Sequence, residues 1–359
     1  MIRHRIIVLL GLAFVLVLIT ACGGASPTAA PKAAEPTKPP AAAPTKAPEP
    51  TKAPEPTKPV EPTKAACTTP DKATLVLKWV AQAQFAGYYA AAEKGFYKDE
   101  CLEIKIVPGG PDIIPEQVVA GGSAQFGLDW LPSLLSAREQ GTPLINIAQV
   151  FQYSGMREIS FKDCGIDSAA KLKGTSCVKG AEGKPRKIAV WLGGNEFELY
   201  ATLAKLGIDR EKDVEIVKQP FDMNLLLERK VDAAAAMTYN EYAQVLEAGI
   251  KAEELNIIDF NKEGTAMLED GIFVKEDWLK DAKNQDIATR FLRASFRGWL
   301  FCRDNQKDCV DFVLKQGPAL PRGHQTWMMN EINKLIWPSP KKIGFMDEAA
   351  FKQTADIAL

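Results

Sequence analysis

Aromatic and amide side chains recur just beyond a series of strand-like runs, the position at which open α/β sheets hold their ligands. Trp79, Gln82, Gln84, Phe85 and Tyr88 follow the run 74–80; Asp129 and Trp130 follow 124–128; Gln152, Tyr153, Ser154 and Met156 follow 144–151. Further on, Val190-Trp191-Leu192-Gly193-Gly194 leads into Asn195-Glu196-Phe197-Glu198, and Met237 leads into Thr238-Tyr239-Asn240-Glu241. Any one of these aromatics, taken alone, reads as a core residue. The same chemistry at several strand ends points instead to a cleft whose rings stack on a flat ligand while amides and carboxylates order its polar edge. Asn195 with Glu198, and Thr238 with Glu241, have the spacing of capping boxes, which is the competing role for both glutamates. The glycines before Asn195 let a ligand approach the backbone. Two acidic helix starts repel phosphate, so a neutral or weakly basic ligand is expected.

Reaction chemistry has less support. Beyond the first five residues the one histidine is His324, in a predicted helical tail, and there is no Gly-x-Ser-x-Gly. Pro108-Gly109-Gly110-Pro111 and Gly193-Gly194 lack both the lysine of a phosphate loop and the spacing of a dinucleotide fingerprint. No Cys-x-x-Cys is present, so neither a metal site nor a cofactor is expected.

The elements that must position these side chains alternate. Strand-like runs at 74–80, 102–107, 124–128 and 144–151 are separated by helical patterns at 85–94, 113–120 and 131–139. After a polar, basic stretch at 163–187 the pattern resumes with strands at 187–191, 214–218, 233–237 and 255–260 and helices at 195–206, 222–228 and 239–248. A strand at 265–274 and helices at 285–301, 308–315, 325–334 and 349–358 complete the chain. This is repeated β-α-β logic, and 293 residues remain after the first 66, a length at which one core divides into two. The expectation is an α/β protein with one lobe from 67–160 plus 262–359 and a second from 161–261. Asp356-Ile357-Ala358-Leu359 is still in helical pattern with no Gly or Pro stop, so the natural terminus is expected beyond it.

The formal net charge of -1, or -3 once Arg3 and Arg5 are removed, excludes nucleic-acid binding driven by charge. Arg3 and Arg5 precede an apolar run of 14 residues, 6–19, that is short for a membrane span and ends in Thr20-Ala21-Cys22. This reads as a signal peptide over 1–21. The cysteine directly after it resembles the lipobox of bacterial lipoproteins, which implies that Cys22 carries a thioether-linked lipid and palmitate and anchors the protein on the extracytoplasmic face of the cell membrane. Residues 22–66 hold 12 of the 24 prolines and repeat Glu-Pro-Thr-Lys four times, with no apolar side chain larger than Val60. Nothing there can be buried, and extended polyproline II at about 3.1 Å per residue gives a tether reaching roughly 130–140 Å.

Cys67, Cys101, Cys164, Cys177, Cys302 and Cys309 remain, an even number in an exported chain. Fifteen pairings exist in principle. The short separations of Cys164 from Cys177 and of Cys302 from Cys309 favour local bridges, leaving Cys67 for Cys101, each beside a strand-like run.

Trp79-Val80-Ala81-Gln82-Ala83-Gln84-Phe85-Ala86-Gly87-Tyr88-Tyr89, Glu93-Lys94-Gly95-Phe96-Tyr97, Gly127-Leu128-Asp129-Trp130, Trp191-Leu192-Gly193-Gly194-Asn195-Glu196 and Met237-Thr238-Tyr239-Asn240-Glu241 together resemble the solute-binding proteins of the thiamine-pyrimidine-synthesis and sulfonate-binding group. The resemblance spans about 73–359. It implies a two-lobed periplasmic-binding-protein fold of type II with the ligand cleft between the lobes, a monomer delivering its solute to the permease of an ABC importer, and binding by lobe closure. Within the group the residues are most similar to the riboflavin-binding branch, then to the formylaminopyrimidine-binding branch. The ligand set expected from the strand ends and helix starts is Trp79, Gln84, Phe85, Tyr88, Asp129, Trp130, Gln152, Ser154, Trp191, Gly193, Asn195, Glu196, Tyr239, Asn240 and Glu241. Relatives that form the pyrimidine from their own histidine and pyridoxal phosphate carry an active-site His and a Cys-rich segment, and neither is visible here. Glu100-Cys101-Leu102 and the Cys177 insertion depart from the group's pattern and add disulfides.

Overall fold

Four consecutive alanines, Ala233 to Ala236, form all but the last residue of a strand despite a weak intrinsic preference for it. All four are buried, and their small side chains let elements on both faces of the sheet come close. In the computed structural model, which describes residues 67–358 apart from Gly193, this strand is the centre of the second of two five-stranded sheets. The strands are β1 (Asp71–Val76), β2 (Leu102–Val107), β3 (Phe126–Asp129), β4 (Leu144–Gln149), β5 (Met156–Phe161), β6 (Arg186–Val190), β7 (Val214–Lys218), β8 (Ala233–Met237), β9 (Leu255–Asp259) and β10 (Gly271–Lys275). The first sheet has the order β2-β1-β3-β10-β4 and the second β7-β6-β8-β5-β9.

In each sheet one strand runs against its neighbours: β10 is antiparallel to β3 and β4, and β5 to β8 and β9. Both enter directly from the other sheet, β5 after β4 and β10 after β9, so two crossover segments join the lobes. The α/β, two-lobed architecture is the expected one. β5 was not anticipated as a strand, and the change of sheet falls before Met156 rather than near Ser160. Its inward-facing Glu158 and Ser160 are polar yet buried, which removes the apolar alternation that marks a strand. The expected strand at 265–274 shortens to β10, because 265–270 serves as an extended crossover.

The helix Ala282–Asp304 lies on the helix Ala86–Glu93 with backbones nearly touching, and Trp299 is fully buried beside Tyr88 at an edge-to-face 5.6 Å. Disulfides join Cys67 to Cys101, Cys164 to Cys177 and Cys302 to Cys309, with Cα separations of 5.4, 5.4 and 5.5 Å. Cys101 directly precedes β2, and its carbonyl accepts from the amide of Asp71, the first residue of β1. Among the described residues no helix is long and apolar enough to cross a membrane. The signal peptide, Cys22 and the Pro-rich tether lie outside the described residues.

Candidate functional site

The C-terminal ends of β1, β3, β6, β7 and β8 converge on one cleft of about 930 Å³ between the two sheets. β1 delivers Lys78 and Trp79, β3 delivers Asp129 and Trp130, and β6 delivers Trp191 and Leu192. β7 supplies Gln219 and Phe221, and β8 supplies Tyr239, Asn240 and Glu241. The lobes touch across its mouth. The Trp79 and Phe221 rings lie 5.3 Å apart, and a Cβ on Gly194 would fall 2.5 Å from Ser133 Oγ on the opposite lobe. Gly194 also has φ +123°, so glycine is required there twice over.

The first lobe's wall is a hydrogen-bonded stack. Gln82 Nε2 donates to Gln84 Oε1 at 2.7 Å, and Gln84 Nε2 donates to both oxygens of Asp270 at 3.1 and 2.9 Å. Trp130 Nε1 donates to the same carboxylate at 3.1 Å, fixing the indole. Lys78 is ion-paired with Asp129, which also accepts from the Trp130 amide at 2.6 Å. Burial alone lowers the affinity of the Lys78 ammonium for its proton, but the carboxylates around it, Asp129 first and then Glu116 and Asp270, together outweigh it and the net shift is upward. Asp270 is pushed up to about 6 by burial, against the stabilising amide of Gln84.

On the second lobe Trp191 Nε1 donates to the Pro220 carbonyl at 2.9 Å, so the ring is oriented while part of its surface stays open. Glu241 accepts from the Met237 amide at 3.0 Å and from Asn240 Nδ2 at 2.6 Å, and burial raises it to about 7. Asn240 Oδ1 is held in turn by His324 Nε2 at 2.9 Å, with His324 Nδ1 against Glu247. His324 thus stands behind the cleft wall.

Of the expected ligand residues, Trp79, Gln84, Asp129, Trp130, Trp191, Asn195, Glu196, Tyr239, Asn240 and Glu241 line this cleft. Gly193 lies outside the described residues. Four need correction. Phe85 and Tyr88 turn into the core, both 1% exposed or less: Tyr88 lies on the face of its helix packed against the Ala282–Asp304 helix, and Phe85 ends the preceding helical turn Ala83–Phe85, which packs on the helices Gln306–Gln316 and Arg322–Ile336. Gln152 and Ser154 sit in the first crossover. Gln152 Nε2 donates to the Gln149 and Phe345 carbonyls, and Ser154 Oγ shares hydrogen bonds with the Glu198 and Glu269 carboxyls. Neither expected capping box forms. The helix Phe197–Lys205 has Glu196 at its N-cap, and Glu198 instead reaches inward to the Met267 amide at 2.7 Å. The helix Glu241–Glu247 has Asn240 at its N-cap, and the Thr238 hydroxyl has no partner.

Sequence reasoning missed Lys78, Glu116 and Phe221. Phe221 follows β7 as Trp79 follows β1, so the strand-end rule applied to every strand would have found it. Glu116, at the start of the helix Pro115–Ala120, carries no such signal.

The crossovers hold a second acidic group. Ser154 Oγ bridges Glu198 and Glu269 at 3.1 and 2.9 Å, and Glu269 also accepts from the Gly155 amide at 2.8 Å. Burial raises Glu198 to about 8 and Glu269 well above the carboxylate range, the second helped by the first. An unfolded glutamate releases its proton near 4.5, whereas these keep theirs when folded. Between those values the folded state binds more protons than the unfolded, so stability falls as pH rises. The melting temperature should therefore drop between about pH 5 and pH 8, and Glu198→Gln should flatten that slope. A melting temperature that is flat or rising across the window in the wild type would contradict the assignment.

Residues 82–309 match the family described as NMT1/THI5 like. The chain is 27% identical to a protein named riboflavin-binding protein RibY from Chloroflexus aurantiacus over 313 residues, covering 86% of this chain and 78% of the relative. It is 23% identical to the formylaminopyrimidine-binding protein of Halalkalibacterium halodurans, covering 67% and 69%. The structure superposes on the periplasmic aliphatic sulphonate binding protein SsuA of Escherichia coli with a TM-score of 0.61 at 14% identity, covering 81% of this chain and 86% of the other, which establishes the shared fold.

Proposed function

The chain belongs to the NMT1/THI5-like family, and from that premise we propose that it is the extracytoplasmic solute-binding component of an ABC importer, closing its two lobes on riboflavin. The observation that carries the reading is the cleft itself. Its volume of about 930 Å³ stands near the top of the roughly 300–1,000 Å³ range of small-molecule sites. Trp79, Trp130, Trp191, Phe221 and Tyr239 wall it, which suits a three-ring flavin with a polyol tail better than one pyrimidine ring. Acids outnumber lysines along it, with Asp112, Glu116, Asp129, Glu196 and Glu241 against Lys78 and Lys218, so a phosphorylated ligand is disfavoured. Each aromatic pair adds about 0.5–1.5 kcal/mol beyond area burial. Micromolar to nanomolar binding requires about 8–12 kcal/mol in total.

A second reading, a formylaminopyrimidine-like precursor of thiamine, is favoured by those same acids, which pair with an amino group. A pyrimidine-forming enzyme would use a histidine at the cleft, and His324 has both ring nitrogens engaged by Glu247 and Asn240. Purification under native conditions followed by mass spectrometry of the released ligand separates the three. A flavin mass supports the proposal; a pyrimidine mass replaces it with the second reading; pyridoxal phosphate would point to the enzyme.

The protein is proposed to be tethered to the membrane through a lipid on Cys22, since the thiol is the acceptor for the thioether. Cys22→Ala should leave the precursor uncleaved by the lipoprotein pathway and unlipidated, and intact lipid mass in that variant would contradict the anchor.

A further inference from the structure

Glu116 is 4% exposed, lines the cleft, and its Oε1 has no hydrogen-bond partner. A buried carboxyl with an unmet oxygen costs free energy unless a ligand meets it. Its neighbours define its chemistry. Lys78 from the end of β1 is the cation at this corner, and it is committed to Asp129 at the end of β3. Asp270 from the second crossover is satisfied by Gln84 and Trp130. Lys275 of β10 donates to the Ala120 carbonyl at the far end of Glu116's own helix. Across the cleft Glu241 is held by Asn240 and by its own strand end. One ammonium therefore faces three acids: Asp129 and Asp270 have side-chain donors aimed at them, whereas Glu116 meets only its own backbone N–H and the Asp129 carboxylate, which leaves Oε1 unmet. The acid with no side-chain donor, buried beside a second carboxylate, is the one that keeps its proton.

We propose that Glu116 reads the polar edge of the bound ring, its carboxyl group pairing as one donor and one acceptor with an adjacent acceptor and donor on a flat nitrogen heterocycle. The imide edge of a flavin and the amino-and-ring-nitrogen edge of an aminopyrimidine both present that pair. This inference rests on the cleft being a heterocycle site, and it goes beyond that reading by naming the residue and the edge. Burial, with Asp129 adding to it, raises Glu116 to about 8, in keeping with a protonated group at neutral pH. Asp270 and Glu241 titrate lower, at about 6 and about 7.

The test is a titration of wild type, Glu116→Gln and Glu116→Ala with riboflavin, read by flavin emission, and with formylaminopyrimidine, read by tryptophan emission, at about pH 7.5 and about pH 9. Glutamine keeps one donor and one acceptor, whereas alanine keeps neither. At the lower pH Glu116→Ala should bind tenfold or more weakly, about 1.4 kcal/mol, and Glu116→Gln should stay within about threefold of wild type. Wild type should lose roughly threefold or more on going to the higher pH, and Glu116→Gln should not, a difference that a purely structural role would not produce. Wild-type affinity in Glu116→Ala, or one pH profile shared by wild type and Glu116→Gln, overturns the assignment. Should Glu116→Ala fail to fold, the pH profiles alone decide. A wild type that binds the pyrimidine but not riboflavin overturns the riboflavin reading and leaves Glu116 to be judged on the pyrimidine; a wild type that binds neither overturns both.

Discussion

Trp191→Ala weakens riboflavin binding tenfold or more, about 1.4 kcal/mol, while leaving the melting temperature nearly unchanged. The two halves of that expectation come from one geometry. The indole N–H is fixed on the Pro220 carbonyl, so the ring has a set orientation in the cleft wall. It is only partly buried, so its removal opens no closed cavity in the core. A stacked ring contributes about 0.5–1.5 kcal/mol beyond the apolar area it covers, and loss of both exceeds a factor of ten. Tyr239 is a less clean probe, because it is 2% exposed and packs edge-to-face on Phe151 at 6.4 Å, so its truncation would change folding and binding together. Unchanged affinity in a folded Trp191→Ala protein would remove the stack from the account.

Gly298→Ala produces the largest loss of stability, about 3 kcal/mol, or a fall in melting temperature of roughly 5–10 °C. A Cβ at Gly298 would lie 2.0 Å from the Gly87 carbonyl oxygen and 2.9 Å from the Ala91 amide nitrogen. These are backbone atoms of the facing helix, which cannot rotate away as a side chain would. One at Gly87 would strike the buried Trp299 ring at 2.2 Å. The two helices therefore meet through glycines, and a methyl group at Gly298 must push them apart and unpack Trp299. Gly323, with nothing within 4 Å of its notional Cβ, is the control, and its alanine variant should melt like wild type. A Gly298→Ala protein that also melts like wild type would contradict the close packing.

Much of this architecture was legible in the sequence. Residues 102–107, 214–218 and 233–237 read as strands and are β2, β7 and β8 with those bounds, because apolar or β-branched runs there are bracketed by turns. The strand-end rule found most of the cleft for a topological reason: parallel strands of one sheet all end on the same edge. It failed where local pattern and tertiary position diverge. Phe85 and Tyr88 follow a strand as Trp79 does, but they already belong to helical turns, whose period faces them inward. Glu198 and Glu241 have capping spacing, yet burial turns both to amides elsewhere, Met267 for one and Met237 for the other. Glu116 looks in sequence like a carboxylate complementing a helix start. Only the fold sets it beside Asp129 and Lys78 in the cleft.

The most direct test of the central claim is a fluorescence titration of the purified chain with riboflavin. Flavin emission should be quenched by the cleft indoles and saturate at one flavin per chain, with a dissociation constant in the micromolar range or below. Flavin emission that stays unchanged at saturating protein, while formylaminopyrimidine quenches the cleft tryptophans, would contradict it and assign the cleft to the pyrimidine.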